Sequence, residues 1–183
     1  MPQIFDNIET HLLSALKDAM RLSERADFCV GYFNLRGWRK IDSLVGKWSG
    51  GEGHCCRLLV GMQPMPQDEI RASMSLIKDE EQIDQATAIS LKRKLAQEFR
   101  DQLTIGLPSN EDEAGLRRLA SQITARKLVV KLFLRHPLHA KLYLCFRNDP
   151  LNPKIGYLGS SNLTLAGLSK QGELNVDVLD HDA

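Results

Sequence analysis

The sequence predicts an α/β protein: a mixed sheet flanked by helices, with a helical insertion in mid-chain. Three observations predict it. A strand, a helix and a second strand follow one another between residues 27 and 62. The last third of the chain is rich in strands, and a charged helical tract lies between the two. At 183 residues the chain fits one domain, 1–183, with the insertion at about 64–126.

Each element has its own signal. Phe5, Ile8, Leu12, Leu13, Leu16, Ala19 and Met20 recur at helical spacing and predict an amphipathic first helix. Residues 27–33, DFCVGYF, read as a strand, and Asn34 begins the turn after it. Trp38, Ile41, Leu44, Val45 and Trp48 predict a helix over 37–48. Ser49-Gly50-Gly51-Glu52-Gly53 is a loop, and 55–62 reads as a second, buried strand. Pro64 and Pro66 open the insertion, which breaks at Gly106-Leu107-Pro108-Ser109-Asn110. Within it, 91–103 mixes Lys92, Arg93, Lys94 and Arg100 with Glu98, a pattern that reads as a solvated helix face rather than a nucleic-acid clamp. Strands are then predicted at 127–134, 139–146, 155–158 and 174–179. The chain stops almost at the end of that last strand, which reads as the N-terminal fragment of a longer protein.

Composition narrows the function classes. The net charge of +1 excludes a uniformly basic coat, so any nucleic-acid binding has to come from a local patch. Asp6, Glu9, Lys17 and Asp18 interrupt any apolar run at the start, which is therefore not a signal peptide. No stretch approaches the roughly 20 apolar residues that cross a bilayer. The reading is a cytoplasmic protein with no membrane partner. Cys29, Cys55, Cys56 and Cys145 each lie in an apolar, strand-like run without a Cys-x-x-Cys pair, and read as reduced, buried small hydrophobes.

The chemistry is concentrated late in the chain. His139, Lys141, Tyr143 and Cys145 alternate with Ala140, Leu142, Leu144 and Phe146, so the first four share one face of a strand. Two residues apart on a strand, an imidazole and an ammonium stand roughly 6–7 Å apart at the backbone. Both can reach one phosphate, the ammonium to neutralise it and the imidazole to attack phosphorus or move a proton. Downstream, an apolar strand runs into Gly159-Ser160-Ser161-Asn162. Such a turn offers N–H groups, hydroxyls and an amide to phosphate oxygens, and it equally suits the N-cap of a helix. Glu173 and Asn175 share a face at the start of the last strand. A carboxylate there can hold the second ring N–H of a histidine, or be a surface glutamate at a strand edge. Lys127, Lys131, Arg135 and Arg147 flank the motif strand as a basic field or as a charged sheet rim. Nothing resembles an amphipathic membrane helix, which disfavours a lipid substrate.

Taken together, His139-x-Lys141, Gly159-Ser160-x-Asn162 and Glu173-x-Asn175 resemble the phospholipase D superfamily, and its nuclease branch above all. That branch comprises stand-alone endonucleases, metal-independent restriction enzymes and domains at the N-terminus of some large DNA helicases. The resemblance implies a phospholipase D-like fold, with His139, Lys141, Asn162 and Glu173 as catalytic residues. It assigns phosphate binding to Lys141, Ser160, Ser161, Asn162 and Asn175, and implies no metal or other cofactor. In one respect the sequence departs from the pattern. The superfamily's motif continues from the lysine with four residues and an aspartate; here Phe146 stands at that position, and the nearest acid is Asp149. The restriction-enzyme-like branch also lacks the aspartate, and Glu173 is then the supporting carboxylate.

The resemblance further implies a reaction through two histidines and a phosphohistidine intermediate. None of His11, His54, His136 and His181 has a lysine two residues on, and His136, before Pro137, reads as a turn residue. A two-fold homodimer that joins two copies of the motif is the expectation. The partner is expected to be nucleic acid, DNA before RNA. A catalytically silent nucleic-acid-binding or dimerisation module is the alternative from another class, and a phosphatidyl-transfer enzyme is the third reading.

Overall fold

The computed structural model describes residues 2–61, 109–133 and 138–179, together with scattered helical positions from 86 to 103. Most of the expected insertion lies outside the described residues, as do Arg135, His136 and His181. One sheet of seven strands organises the described residues, in the order β1-β7-β6-β5-β2-β3-β4. Its strands are β1 (Ile4–Phe5), β2 (Ser23–Val30), β3 (Cys56–Gly61), β4 (Leu128–Phe133), β5 (Lys141–Arg147), β6 (Lys154–Gly159) and β7 (Asn175–Leu179). The helices with defined bounds are α1 (Leu12–Arg21), α2 (Leu35–Trp38), α3 (Asp42–Val45), α4 (Asn110–Thr124) and α5 (Leu165–Ser169).

The first half of the sheet is parallel and the second antiparallel. β2 pairs parallel with β3, and β3 with β4. The chain then returns to the other side of β2, where β5, β6 and β7 follow as an antiparallel meander. β2 is thus the point from which strands depart in both directions. Ligands in open α/β sheets bind beyond the carboxyl ends of the strands at such a point.

The α/β class with a mixed sheet is what the sequence predicts, but several bounds differ. Phe5 and Ile8 do not belong to the first helix. Phe5 lies on β1 and packs edge-on against Tyr157 with ring centroids 5.6 Å apart, while Ile8 is 73% exposed. What starts α1 is Asn7, whose Oδ1 accepts the Leu12 N–H at 3.0 Å and whose Nδ2 donates to the Gly167 carbonyl at 2.8 Å. The single helix expected over 37–48 is instead two short ones. Asn34 caps α2 by accepting the Gly37 N–H at 2.8 Å, and Ile41, at φ −129°, interrupts the spiral before α3. The expected strand at 139–146 begins at Lys141, because β2 ends at Val30, the partner of Lys141.

One face of the sheet carries the core. Phe28, Leu58, Tyr143 and Tyr157 on that face pack with Leu12, Leu16, Met20 and Trp38 from the helices. Trp38 Nε1 donates to Gln122 Oε1 at 3.0 Å and Gln122 Nε2 donates to the Asp42 carbonyl at 2.6 Å, which ties α4 to α2 and α3. The opposite face carries Arg25, Asp27, Cys29, Arg57, Leu59, Leu142 and Leu144, with a cavity of about 270 Å3 over it. Cys55, Cys56 and Cys145 are buried, Cys29 is half-buried, and all four are free thiols. Burial raises the Cys145 thiol to about 12 and keeps it protonated. No helix among the described residues is long and apolar enough to cross a membrane.

Candidate active site

Four segments meet at the carboxyl-end edge of the parallel strands. They are the exit of β2 at Gly31-Tyr32, the entry to β5 at Leu138-His139, the exit of β6 at Gly159 to Asn162, and the entry to β7 at Glu173-Asn175. The antiparallel meander forces this convergence. The start of β5, the end of β6 and the start of β7 fall at one edge, since Leu142 pairs with Leu158 and Gly159 with Asn175.

Lys141 and His139 differ sharply in environment. Lys141 is only 4% exposed, while His139 is exposed. Burial pulls the Lys141 pKa below its ordinary value, and the nearby charge of Glu173 works in the opposite direction. Its Nζ donates to the His139 carbonyl at 3.4 Å, a long bond for an ammonium. No other hydrogen bond of this ammonium is recorded among the described residues. Burying a cation with so few hydrogen bonds costs free energy, and an anion within its reach offsets that cost.

Asn162 is fixed from below. Its Oδ1 accepts the Tyr32 N–H at 2.9 Å, and the backbone on either side is stitched together by Leu163 N–H to Tyr32 O and Asn34 N–H to Leu163 O. With the oxygen engaged, Nδ2 is the atom left to donate to a ligand. Ser160 and Ser161 behave differently from one another. Ser160 is exposed, and its hydroxyl oxygen accepts the Leu174 N–H at 3.0 Å. Ser161 is fully buried; its carbonyl accepts from the Tyr143 hydroxyl at 2.9 Å. Asn175 is 2% exposed, and both of its amide atoms engage Ser161. The turn is therefore held internally by Tyr143, Ser161 and Asn175, while the side chains of His139 and Asn162 both come up against Gly31 outside it. The N-cap of α5 is Thr164, not a residue of the Gly-Ser-Ser-Asn turn.

Glu173 is partly buried, and its backbone N–H hangs from the Asp6 carbonyl at 3.1 Å. Its charge acts on Lys141 and on Tyr143, whose hydroxyl is pushed well up by burial first and by Glu173 second. No hydrogen bond between Glu173 and His139 is recorded among the described residues. Phe146 and Asp149 lie at the far end of β5. Phe146 stacks under the Arg25 guanidinium at 4.2 Å, and Asp149 Oδ1 accepts the N–H groups of Leu151 and Asn152 at 2.9 and 3.2 Å.

Two of the basic residues that flank the motif in sequence do not flank it in space. Lys127 precedes β4 and donates to the Gly46 carbonyl at 2.7 Å; Arg147 ends β5 and donates to the Asn152 carbonyl at 3.1 Å. Both sit at the edge opposite His139, because β4 runs parallel to β2 and β5 antiparallel to it. Lys131 is exposed in mid-strand on the sheet face that holds the cavity. Of the residues that build the site, sequence reasoning missed Asp6, Gly31 and Tyr32. The signal available for two of them was the Gly-Tyr pair at the end of a predicted strand. No group of histidine, cysteine and acidic residues able to hold a metal occurs among the described residues.

No protein-family model matches the sequence, and no curated protein matches it. Among solved structures, the chain is similar to NucT from Helicobacter pylori at 12% identity and a TM-score of 0.49, over 100% of this chain and 86% of that one. It is similar to Nuc from Salmonella typhimurium, a phospholipase D family member, at 10% identity and a TM-score of 0.48, over 98% and 82%. It also resembles part of a yeast tyrosyl-DNA phosphodiesterase variant, at 12% identity and a TM-score of 0.44, over 98% of this chain and 32% of the other.

Proposed function

We propose that this protein is a metal-independent phosphodiesterase acting on nucleic acid, DNA before RNA, through a phosphohistidine intermediate. The observation that carries the reading is the buried ammonium of Lys141, with one long bond to the backbone carbonyl of His139, whose own side chain is exposed. A phosphodiester supplies the anion that Lys141 lacks and places phosphorus within reach of the ring. The Asn162 amide donates to a second phosphate oxygen, and Ser160 adds a hydroxyl at the rim.

The chemistry is a double displacement. A ring nitrogen of His139 attacks phosphorus, the bond to the leaving oxygen breaks, and the His139 of a second copy gives that oxygen its proton. Water then attacks phosphorus, the P–N bond breaks, and the second histidine takes the water proton. Each chain offers one such histidine, so the reading includes a symmetric homodimer with the sites at its interface. Glu173 supports the site by holding Lys141 charged and, in the dimer, by accepting a ring N–H of the histidine. The resemblance of the three motifs to the nuclease branch favours a nuclease unit of a helicase or a restriction or defence protein, working in the cytoplasm.

A second reading is favoured by Phe146. It occupies the place of the superfamily's aspartate, and the reading it raises is a silent nucleic-acid-binding or dimerisation module, although position 146 lies at the far end of β5 from His139. One experiment separates the two. In excess EDTA the wild-type protein is expected to cleave DNA, and His139→Ala is expected to be inert while remaining folded. Binding of DNA by a folded dimer with no turnover would select the silent module. Turnover by a strict monomer would remove the two-histidine scheme.

A further inference from the structure

The carboxyl ends of the two central parallel strands both finish on glycine, Gly31 just beyond β2 and Gly61 at the end of β3. Neither has a positive φ, so backbone conformation does not demand glycine at either place. Space does. A Cβ at Gly61 would collide with the Leu138 carbonyl and lie 2.6 Å from the Leu138 Cβ. The segment that carries His139 therefore crosses directly over a bare backbone.

Gly31 differs in kind. A Cβ there would stand 3.3 Å from Asn162 Oδ1, 3.4 Å from the Leu138 carbonyl oxygen and 3.8 Å from His139 Cδ2. The Asn162 contact is tight and the others are ordinary, so an alanine fits once the Leu138–His139 segment, which lies outside β5, gives by a few tenths of an ångström. What an alanine would fill is the space between three groups. The Asn162 oxygen is held by the Tyr32 N–H, and the Leu138 carbonyl packs over Gly61. The third is the imidazole, and Cδ2 is the ring atom bonded to Nε2. A methyl group at position 31 would sit beside the Nε2 edge of the ring and under the amide of Asn162.

We infer that Gly31 is a positioning and specificity-determining residue. Its missing side chain lets the His139 ring and the Asn162 side chain come close enough for one phosphodiester to meet the ring and the Asn162 Nδ2, the amide oxygen being turned to Gly31 and taken by the Tyr32 N–H. The inference rests on the reading of His139 as the nucleophile. It adds what brings the two groups together: a bare backbone at position 31, beside the ring edge that carries Cδ2. A side chain at this position pushes the ring and the Asn162 side chain apart in proportion to its size.

The test compares Gly31→Ala and Gly31→Val with wild type. Turnover of bis(p-nitrophenyl) phosphate and of a DNA oligonucleotide is measured in EDTA, and thermal melting is followed in parallel. Gly31→Ala is expected to melt close to wild type and to lose kcat by about tenfold, with KM within about twofold. Gly31→Val is expected to lose about 100-fold, the size of effect that a misplacement near 1 Å has on an oriented reaction. Equal kcat in wild type and Gly31→Val overturns the inference. So does a loss of activity that tracks loss of stability, which is the outcome a purely structural glycine would give.

A second measurement separates this inference from the reading beneath it. Inorganic phosphate is titrated while the His139 ring signals are observed by NMR. If wild type hydrolyses nothing, yet phosphate shifts the His139 ring and Gly31→Val abolishes the shift, the hydrolase reading falls. The spacing that Gly31 permits then serves an anion seat between His139 and Asn162. If phosphate shifts the ring equally in both proteins, the inference is refuted whatever the turnover.

Discussion

Asn175 and Ser161 complete one another in the interior: Asn175 Nδ2 donates to Ser161 Oγ at 2.8 Å, and the Ser161 N–H donates to Asn175 Oδ1 at 3.2 Å. Both are buried, so each satisfies groups that water cannot reach. Asn175→Ala removes two bonds and strands a buried N–H and hydroxyl. The expected cost is about 2–3 kcal/mol, read by chemical denaturation. Asn175→Asp keeps the acceptor for the Ser161 N–H and is expected to cost less. If the two variants unfold at the same denaturant concentration, the pair is not the fixing element of the turn.

Lys141 sets a pH dependence with a definite sign. Burial lowers its pKa in the folded protein, so the folded state gives up this proton at lower pH than the unfolded chain. Below the folded value both states are charged, and the full cost of burying the ammonium is present. As pH rises from there to about 10.4, the unfolded value, the cost disappears. Lys141→Met is therefore expected to melt at or above wild type at pH 7 while losing turnover entirely. A lower melting temperature would show that the ammonium is better satisfied than its one long bond implies.

Glu173 opposes that depression. Glu173→Gln removes the opposing charge and should move the alkaline limb of the rate profile to lower pH. Rates measured between pH 7 and 10 check this. An unmoved limb would mean that Lys141 is not the group titrating there.

Gly61→Ala tests the crossing of the His139 segment. Because the obstruction is the Leu138 backbone rather than the end of a flexible side chain, the segment has to move. Residues 138–140 are not part of β5 and can shift with little cost to the sheet. A folded protein with turnover reduced about 100-fold or more is expected. Near-normal turnover would mean that the entry to β5 has more freedom than its packing suggests.

Phe146→Asp restores the acid of the superfamily motif at its usual spacing. Position 146 is five residues along β5 from Lys141, about 17 Å at strand rise. It pairs with Lys154 and not with any residue of the site. Turnover is expected to stay within about twofold of wild type. A large gain would reveal that this end of the strand communicates with His139.

The sequence made the sheet and the motif strands legible because period-two alternation is a local signal. β2, β3 and β4 to β7 all lie where alternation or an apolar run places them, give or take a few residues. β1 was not legible: two residues cannot show a period, and Phe5 is a strand residue only because β7 lies beside it. The one-helix reading of 37–48 failed for a related reason. Its apolar spacing is real, but the Asn34 cap and the break at Ile41 divide the segment. In the candidate site, His139, Lys141, Asn162 and Glu173 were legible as chemistry-bearing residue types, and the structure brings the segments that carry them to one edge of the sheet. Gly31 and Gly61 were not, since a glycine chosen for space looks in sequence like any glycine at the end of a strand. The division of labour within the Gly-Ser-Ser-Asn turn was also hidden, because burial alone separates Ser161 from Ser160.

Glu173 hangs from Asp6, Asn7 reaches the Gly167 carbonyl and Tyr32 steadies Asn162, so pieces of the candidate site are joined across sequence separations of 130 to 167. Only the last two walls, at Gly159 to Asn162 and Glu173 to Asn175, share a short stretch of chain. Contacts this distant in sequence carry the largest loop-closure cost, so they slow the folding of the sheet that holds them. The candidate site is therefore a property of the whole sheet and of no single segment.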